Sequence, residues 1–219
     1  MIIAIDGPAA SGKGTLARKL AHNLGYPYMD TGKLYRATAF EVLNEGLSPK
    51  DQTDAIQAAK SLAQKIKTRG IESVLDNTTL KEDRIGNAAS QVAAIAEVRQ
   101  ALLDIQRDFA NSPAARDAGA ILDGRDIGTV ICPNADVKLF ITADLEIRAQ
   151  RRLKELQSKG LSVTYSTVLD DMRARDARDA HTLNAHRAKG YSTNIVDTTL
   201  MTPDEAFDEA LRIIKASGG

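Results

Sequence analysis

The stretch MIIAIDGPAASGKGTLARKL, residues 1–20, decides the fold. Its first six residues are an apolar run closed by Asp6, as in a strand buried on both faces of a parallel sheet. From Lys13 the spacing turns helical, with Leu16, Leu20 and Leu24 four apart, and Gly25 and Pro27 stop the helix. Between the two lies Gly7-Pro8-Ala9-Ala10-Ser11-Gly12-Lys13, which fits G-x-x-x-x-G-K in the strand-to-helix setting that this spacing requires. Glycines let main-chain N–H groups converge on phosphate oxygens, and the helix directs its positive end at them. Lys13 is placed to reach the β- and γ-phosphates of ATP and to offset charge during transfer.

Further along the chain, apolar runs at residues 26–30, 118–124, 137–142 and 194–199 read as four more strands. Charged helical patterns fill 144–159 and 166–179. A last helix opens at Thr202-Pro203-Asp204-Glu205 with a capping box and Pro at the first helical position. Strands alternating with helices predict a three-layer α/β fold, a five-stranded parallel sheet with helices on both faces. The stretch from 33 to about 112 is Ala-rich, helical and too long for a crossover, so it is expected as an inserted lobe. One domain over residues 1–219 is the expectation, with that insertion at about 31–112 and a lid at about 148–190. Ligands of such sheets sit beyond the carboxyl ends of the strands, which makes Asp6, Asp30, Asp123 and the loops after them the candidates for chemistry.

Composition narrows the classes. Lys plus Arg equals Asp plus Glu at 29 each, so no overall field draws the chain to nucleic acid or anionic lipid. No segment approaches the roughly 18 consecutive apolar residues of a membrane helix, and no leader precedes the first strand; a cytoplasmic protein is expected. Its single cysteine, Cys132, fits a reducing compartment and reads as a small buried hydrophobe. A monomer acting on small nucleotides is the expectation.

The candidate ATP site is Gly7, Pro8, Ala9, Ala10, Ser11, Gly12, Lys13, Gly14 and Thr15. Many phosphate loops place Ser or Thr directly after the lysine as a magnesium ligand; here Gly14 stands there and Thr15 follows. The ending GKGT resembles the nucleoside monophosphate kinases, where Mg2+ is held mainly by phosphates and waters. Thr15 and Asp123 are the candidates to act on that metal from the outer shell, through water.

Two strand-end loops each present an arginine, Arg36 in DTGKLYR (30–36) and Arg125 in DGRD (123–126). Forked guanidiniums beside a phosphate loop favour a second phosphate site. Together with NAASQVAAIAEVR (87–99), ILDGRDIGTV (121–130), RARDARD (173–179) and VDTT (196–199), these blocks closely resemble the bacterial cytidylate kinases. The resemblance implies transfer of the γ-phosphoryl of ATP to CMP or dCMP. It assigns the acceptor to Thr31, Tyr35, Arg36, Ser90, Arg99, Arg125, Asp126, Arg175 and Asp179. Ser90, Arg99 and Asp126 would read the pyrimidine, a carboxylate suiting its amine and an arginine its acceptors. Arg175 and Asp179, four apart on one helical face, would handle the ribose and the neighbouring phosphate.

Arg148 and Arg152, also four apart, with Arg151 beside them, match the arginines that a lid brings to the transferring phosphoryl in related kinases. No strong base is required, since the acceptor oxygen is already anionic. The pattern breaks after Asp179: Thr182 stands where an arginine is expected, and His186-Arg187 where Pro-Leu is expected. A kinase for another nucleoside monophosphate, or a nucleotide-binding regulatory module without turnover, are the rival readings.

Overall fold

The computed structural model describes residues 1–186 and 192–218. Arg187 and the end of the expected lid, 187–190, lie outside the described residues. The chain divides into two compact units, Met1–Met29 with Ala110–Gly219, and Asp30–Phe109.

The first unit is built on a five-stranded parallel sheet in the order β2-β3-β1-β4-β5. Its strands are β1 (Ile2–Asp6), β2 (Tyr28–Asp30), β3 (Ala120–Gly124), β4 (Val137–Thr142) and β5 (Asn194–Asp197). β1 runs between β3 and β4, with Ile5 opposite Asp123 and Asp6 opposite Gly124 on one side and Phe140 on the other. Alternation sorts its side chains. Ile3 and Ile5 join Ile121, Leu139 and Ile141 in a core that the helices α1 (Lys13–Leu24) and α10 (Pro203–Ala216) cover with Leu16, Leu20, Ile213 and Ile214. Each such buried aliphatic stabilises by about 1.5–3 kcal/mol. The capping box at Thr202 and Glu205 is formed in full.

Ala4 and Asp6 point to the opposite face. There residues 127–131, an apolar IGTVI run, form a single π-type turn rather than a strand, closed by the Cys132 amide on the Ile127 carbonyl at 2.7 Å. The turn is anchored by two buried amides, Ile127 and Gly128, donating to the Asp6 carboxylate. Cys132 is only half-buried, because the chain leaves this turn toward the exposed Pro133. After β4 come α8 (Leu145–Ser158) and α9 (Tyr165–Ala185), which pack through Ala149, Leu156, Val168 and Met172. α9 runs six residues past the expected end at 179. Within that extension Thr182 donates its hydroxyl to the Asp179 carbonyl at 2.8 Å.

The second unit is helical: α2 (Gly32–Asn44), α3 (Gln52–Arg69), α4 (Ile71–Leu75), α5 (Asp83–Ala93) and most of α6 (Ala96–Ala110). α2 packs on α3 and α5 with small buried residues, Ala37, Ala39, Ala55, Ala59, Ala88 and Ala89, which let helices approach closely around Leu34, Leu62 and Ile85. Among the described residues no helix is long and apolar enough to cross a membrane.

Candidate active site

The phosphate loop leaves β1 at Gly7, whose φ is +151°, and turns through Ala10 at +57° and Gly12 at +91° into α1. Ala10, left-handed without being glycine, stores local strain of the kind held at binding loops. Lys13 opens the helix half-buried, with its Nζ 3.4 Å from the Pro8 carbonyl, so its ammonium folds back over the loop. The buried Ser11 Oγ has no partner among the described residues, a polar atom aimed into the loop. Thr15 is exposed one residue beyond Gly14.

Asp123, at the end of β3, is buried and accepts the Tyr28 hydroxyl at 2.8 Å. A Cβ placed on Gly14 would stand 3.3 Å from its Oδ2. A side chain there would crowd the carboxylate, which would have to give by a few tenths of an ångström. A buried carboxylate beside the start of α1 suits a Mg2+ ion held through water. Among the described residues no group of three or more His, Cys, Asp or Glu side chains could hold a metal directly.

The other face of the loop is tied to the sheet by contacts the sequence pattern does not announce. Thr198, just past β5, directs its hydroxyl toward the Ser11 and Thr142 carbonyls, each at 3.0 Å. Arg151 in turn donates to the Thr198 hydroxyl and carbonyl at 3.0 and 2.6 Å. Arg148 is buried: it donates to the Ala143 and Ala9 carbonyls, and holds Asp176 of α9 with both terminal nitrogens at 3.2 and 2.6 Å. Arg152 pairs with Glu155 at 2.7 Å. Of these three arginines, two therefore touch the phosphate loop, directly or through Thr198.

On the acceptor side of this unit the structure brings three predicted residues together. The Asp179 carboxylate accepts Arg125 Nε at 3.0 Å and lies 4.0 Å from Arg175 Nε. Asp126, buried, sits at the head of the π turn. In the helical unit, Thr31 is buried ahead of α2 and Tyr35 is half-buried within it. Arg36 donates to the Leu80 and Glu82 carbonyls at 2.8 and 3.3 Å, and Gly86 makes room for it, since a Cβ there would come within 2.9 Å of the guanidinium. Ser90 is buried in α5, and Arg99 donates to the Ala93 and Ala94 carbonyls at its end.

Asp6, named from the sequence as a strand-end candidate for chemistry, is buried and uses its carboxylate to accept the Ile127 and Gly128 amides. Burial pushes its carboxyl up to about 6 from the ordinary 3.8, against the downward pull of His186 and of the Gly128 and Ile127 amides, while Asp126 adds to the rise. An acid that binds its proton more tightly when folded loses stability as pH rises. The loss runs between about pH 4 and about pH 6 and is complete above that, amounting to roughly 2–3 kcal/mol. Asp6→Asn removes the titration, so denaturant midpoints of wild type and variant should diverge across this window. Parallel curves would show that the group does not titrate there.

The sequence model of the cytidylate kinase family matches residues 3–216. Curated relatives are the cytidylate kinases of Rhodospirillum rubrum, 52% identical over 98% of this chain and 97% of that protein, and of Methylocella silvestris, 50% identical over 99% and 95%. That of Azorhizobium caulinodans is 45% identical over the whole of both chains. Among solved structures, an uncharacterized protein from Eubacterium ventriosum superposes with a TM-score of 0.56 at 16% identity over 99% of both chains, which speaks to the fold alone. With a phosphate loop closed on Lys13, an arginine pair gripping Asp179, and this match over nearly its full length, the chain belongs to the cytidylate kinase family.

Proposed function

We propose that this chain transfers the γ-phosphoryl of ATP to CMP or dCMP, giving ADP and CDP or dCDP. The observation that carries the reading is the phosphate loop capped by Lys13 and flanked by Asp123, in a chain 52% identical to a cytidylate kinase. The loop amides and the N-terminus of α1 hold the ATP phosphates from Gly7 to Thr15, and Lys13 neutralises charge on the transferring group. Asp123 and Thr15 would hold Mg2+ through water when it binds with ATP, and the ion would supply charge neutralisation at the phosphates.

Arg36, Arg125 and Arg175 grip the acceptor phosphate and its surroundings, with Asp179 orienting Arg125 and Arg175. Thr31 and Tyr35 complete the acceptor set. Asp126 accepts from the cytosine amine, and Ser90 and Arg99 serve its acceptors. Arg148 and Arg152 stabilise charge on the transferring phosphoryl. For Arg148 this requires exchanging Asp176 for phosphate as the described part of the lid, α8 and α9, closes. The acceptor oxygen is anionic, so positioning and charge neutralisation carry the rate without a general base. The enzyme works as a cytoplasmic monomer.

The test is a panel of nucleoside monophosphates with coupled detection of ADP. CMP and dCMP should exceed UMP, AMP and GMP; ADP from another acceptor alone, or from none, overturns the assignment. Within that panel, Asp126→Ala should cut the preference for CMP over UMP by roughly tenfold or more, because uracil no longer meets an unpaired carboxylate. The KM for ATP should stay within about twofold. Unchanged selectivity would remove Asp126 from the base-reading set.

A further inference from the structure

His186 stands where the resemblance leads one to expect proline, and the structure gives it a position of its own. It follows the last residue of α9, seven residues after Asp179 and therefore on the same helical face. Its side chain is 2% exposed. Nε2 lies 3.0 Å from the Arg125 carbonyl and 3.4 Å from Asp6 Oδ2, and the ring rests on Phe140 at 5.0 Å between centroids. The Arg125 carbonyl can only accept, and Asp6 Oδ2 already receives the Gly128 amide, so Nε2 carries the hydrogen and donates it chiefly to the nearer Arg125 carbonyl.

Around that hydrogen bond several constraints converge on one loop. Asp6 Oδ1 and Oδ2 receive the amides of Ile127 and Gly128, each at 2.8 Å. The side chain of Arg125 meets Asp179 two turns back along α9, while its main-chain carbonyl meets His186. α9 is thus fastened at two points to residues 125–128, once through a side chain and once through the backbone. The helix bearing Arg175 and Asp179 and the loop bearing Arg125 and Asp126 are locked in register.

We infer that His186 is a positioning residue for the acceptor, fixing the backbone of Arg125 and Asp126 against α9 through its Nε2 hydrogen. The inference rests on the proposed acceptor role of these residues. It separates from a merely structural role because its shorter hydrogen bond, at 3.0 Å, is to Arg125 on the acceptor side, whereas toward the phosphate loop it meets only Asp6, the residue before Gly7, at 3.4 Å. His186→Leu keeps the apolar packing on Phe140 and removes the donor; His186→Gln restores a donor close to the position of Nε2. The KM for CMP should rise about tenfold in the leucine variant, the size of one buried hydrogen bond, and return to within about threefold of wild type in the glutamine variant. The KM for ATP should stay within about twofold in both.

Steady-state kinetics with CMP and ATP, run beside Arg125→Ala, separate the possible failures. If wild type does not phosphorylate CMP, or Arg125→Ala leaves the KM for CMP unchanged, the acceptor assignment falls. If Arg125→Ala raises that KM and His186→Leu does not, or moves both KM values alike, the positioning role falls. Should His186→Leu fail to fold, 15N spectra of the wild-type imidazole in alkaline buffer decide instead. An Nε2–H tautomer supports the role and an Nδ1–H tautomer overturns it.

Discussion

Lys13→Ala should lower kcat/KM for phosphoryl transfer by about a thousandfold or more while leaving the fold intact. Lys13 is the first residue of α1 and half-buried, and its ammonium lies 3.4 Å from the Pro8 carbonyl, a long contact that contributes little to stability. Its value lies in the reaction, where negative charge on the β- and γ-phosphate oxygens shifts and a fixed cation costs no reorganisation. Alanine is a good helix former, so the substitution should change the unfolding free energy by no more than about 1 kcal/mol. Coupled ADP detection and a urea titration on the same preparation check both halves. Turnover at the wild-type rate would refute the role of Lys13, and an unfolded variant would refute the separation of function from fold.

Gly7→Ala should do the reverse and act first on the fold. A Cβ at this position would lie 2.0 Å from the Ile141 carbonyl oxygen and 3.1 Å from its carbon, at a φ of +151° that side chains rarely adopt. The obstacle is main chain in β4, a strand paired on both edges, so no rotamer change relieves the clash. The expected loss is about 4 kcal/mol or more, a large share of the roughly 5–15 kcal/mol that holds a domain together. The variant should give little soluble protein and a sharply lowered urea midpoint. Gly14→Ala is the matched control, because its Cβ would meet only the Asp123 carboxylate, at 3.3 Å, and the end of Arg18. A Gly7→Ala protein as stable as wild type would show that the loop and β4 yield more readily than their packing implies.

The phosphate loop and the parallel sheet were legible in the sequence because their causes are local. An apolar run, a glycine spacing and a switch of period from strand to helix need no knowledge of distant residues. The same holds for the capping box at Thr202 and for the helical character of residues 33–112. What escaped were the polar contacts made across the fold. Asp6 binds amides 121 and 122 positions away, and Thr198 reaches Ser11 across 187. Arg148 and its neighbour Arg151 read as arginines of a lid, yet Arg148 is buried on Asp176 and Arg151, half-buried, holds Thr198. Only the three-dimensional path of the chain chooses such partners. The π-type turn at 127–131 escaped for the same reason, since the Asp6 carboxylate that anchors it lies 121 and 122 positions from the amides it binds. His186 and Gly86 carried no signal in spacing, since a lone histidine and a helical glycine acquire meaning only from what lies against them.

The central place of β1 also bears on how the protein is made. Both of its neighbours, Ala120–Gly124 and Val137–Thr142, are synthesised more than a hundred residues after it. Until they arrive the helical segment Asp30–Phe109 has its own contacts to form, while the first strand has neither of the strands it pairs with. A nascent chain halted before residue 120 therefore carries the apolar IIAI with both hydrogen-bonding edges bare, the state in which strands pair with the wrong partner. Every round of translation passes through that interval, and its length is set by the insertion between β2 and β3.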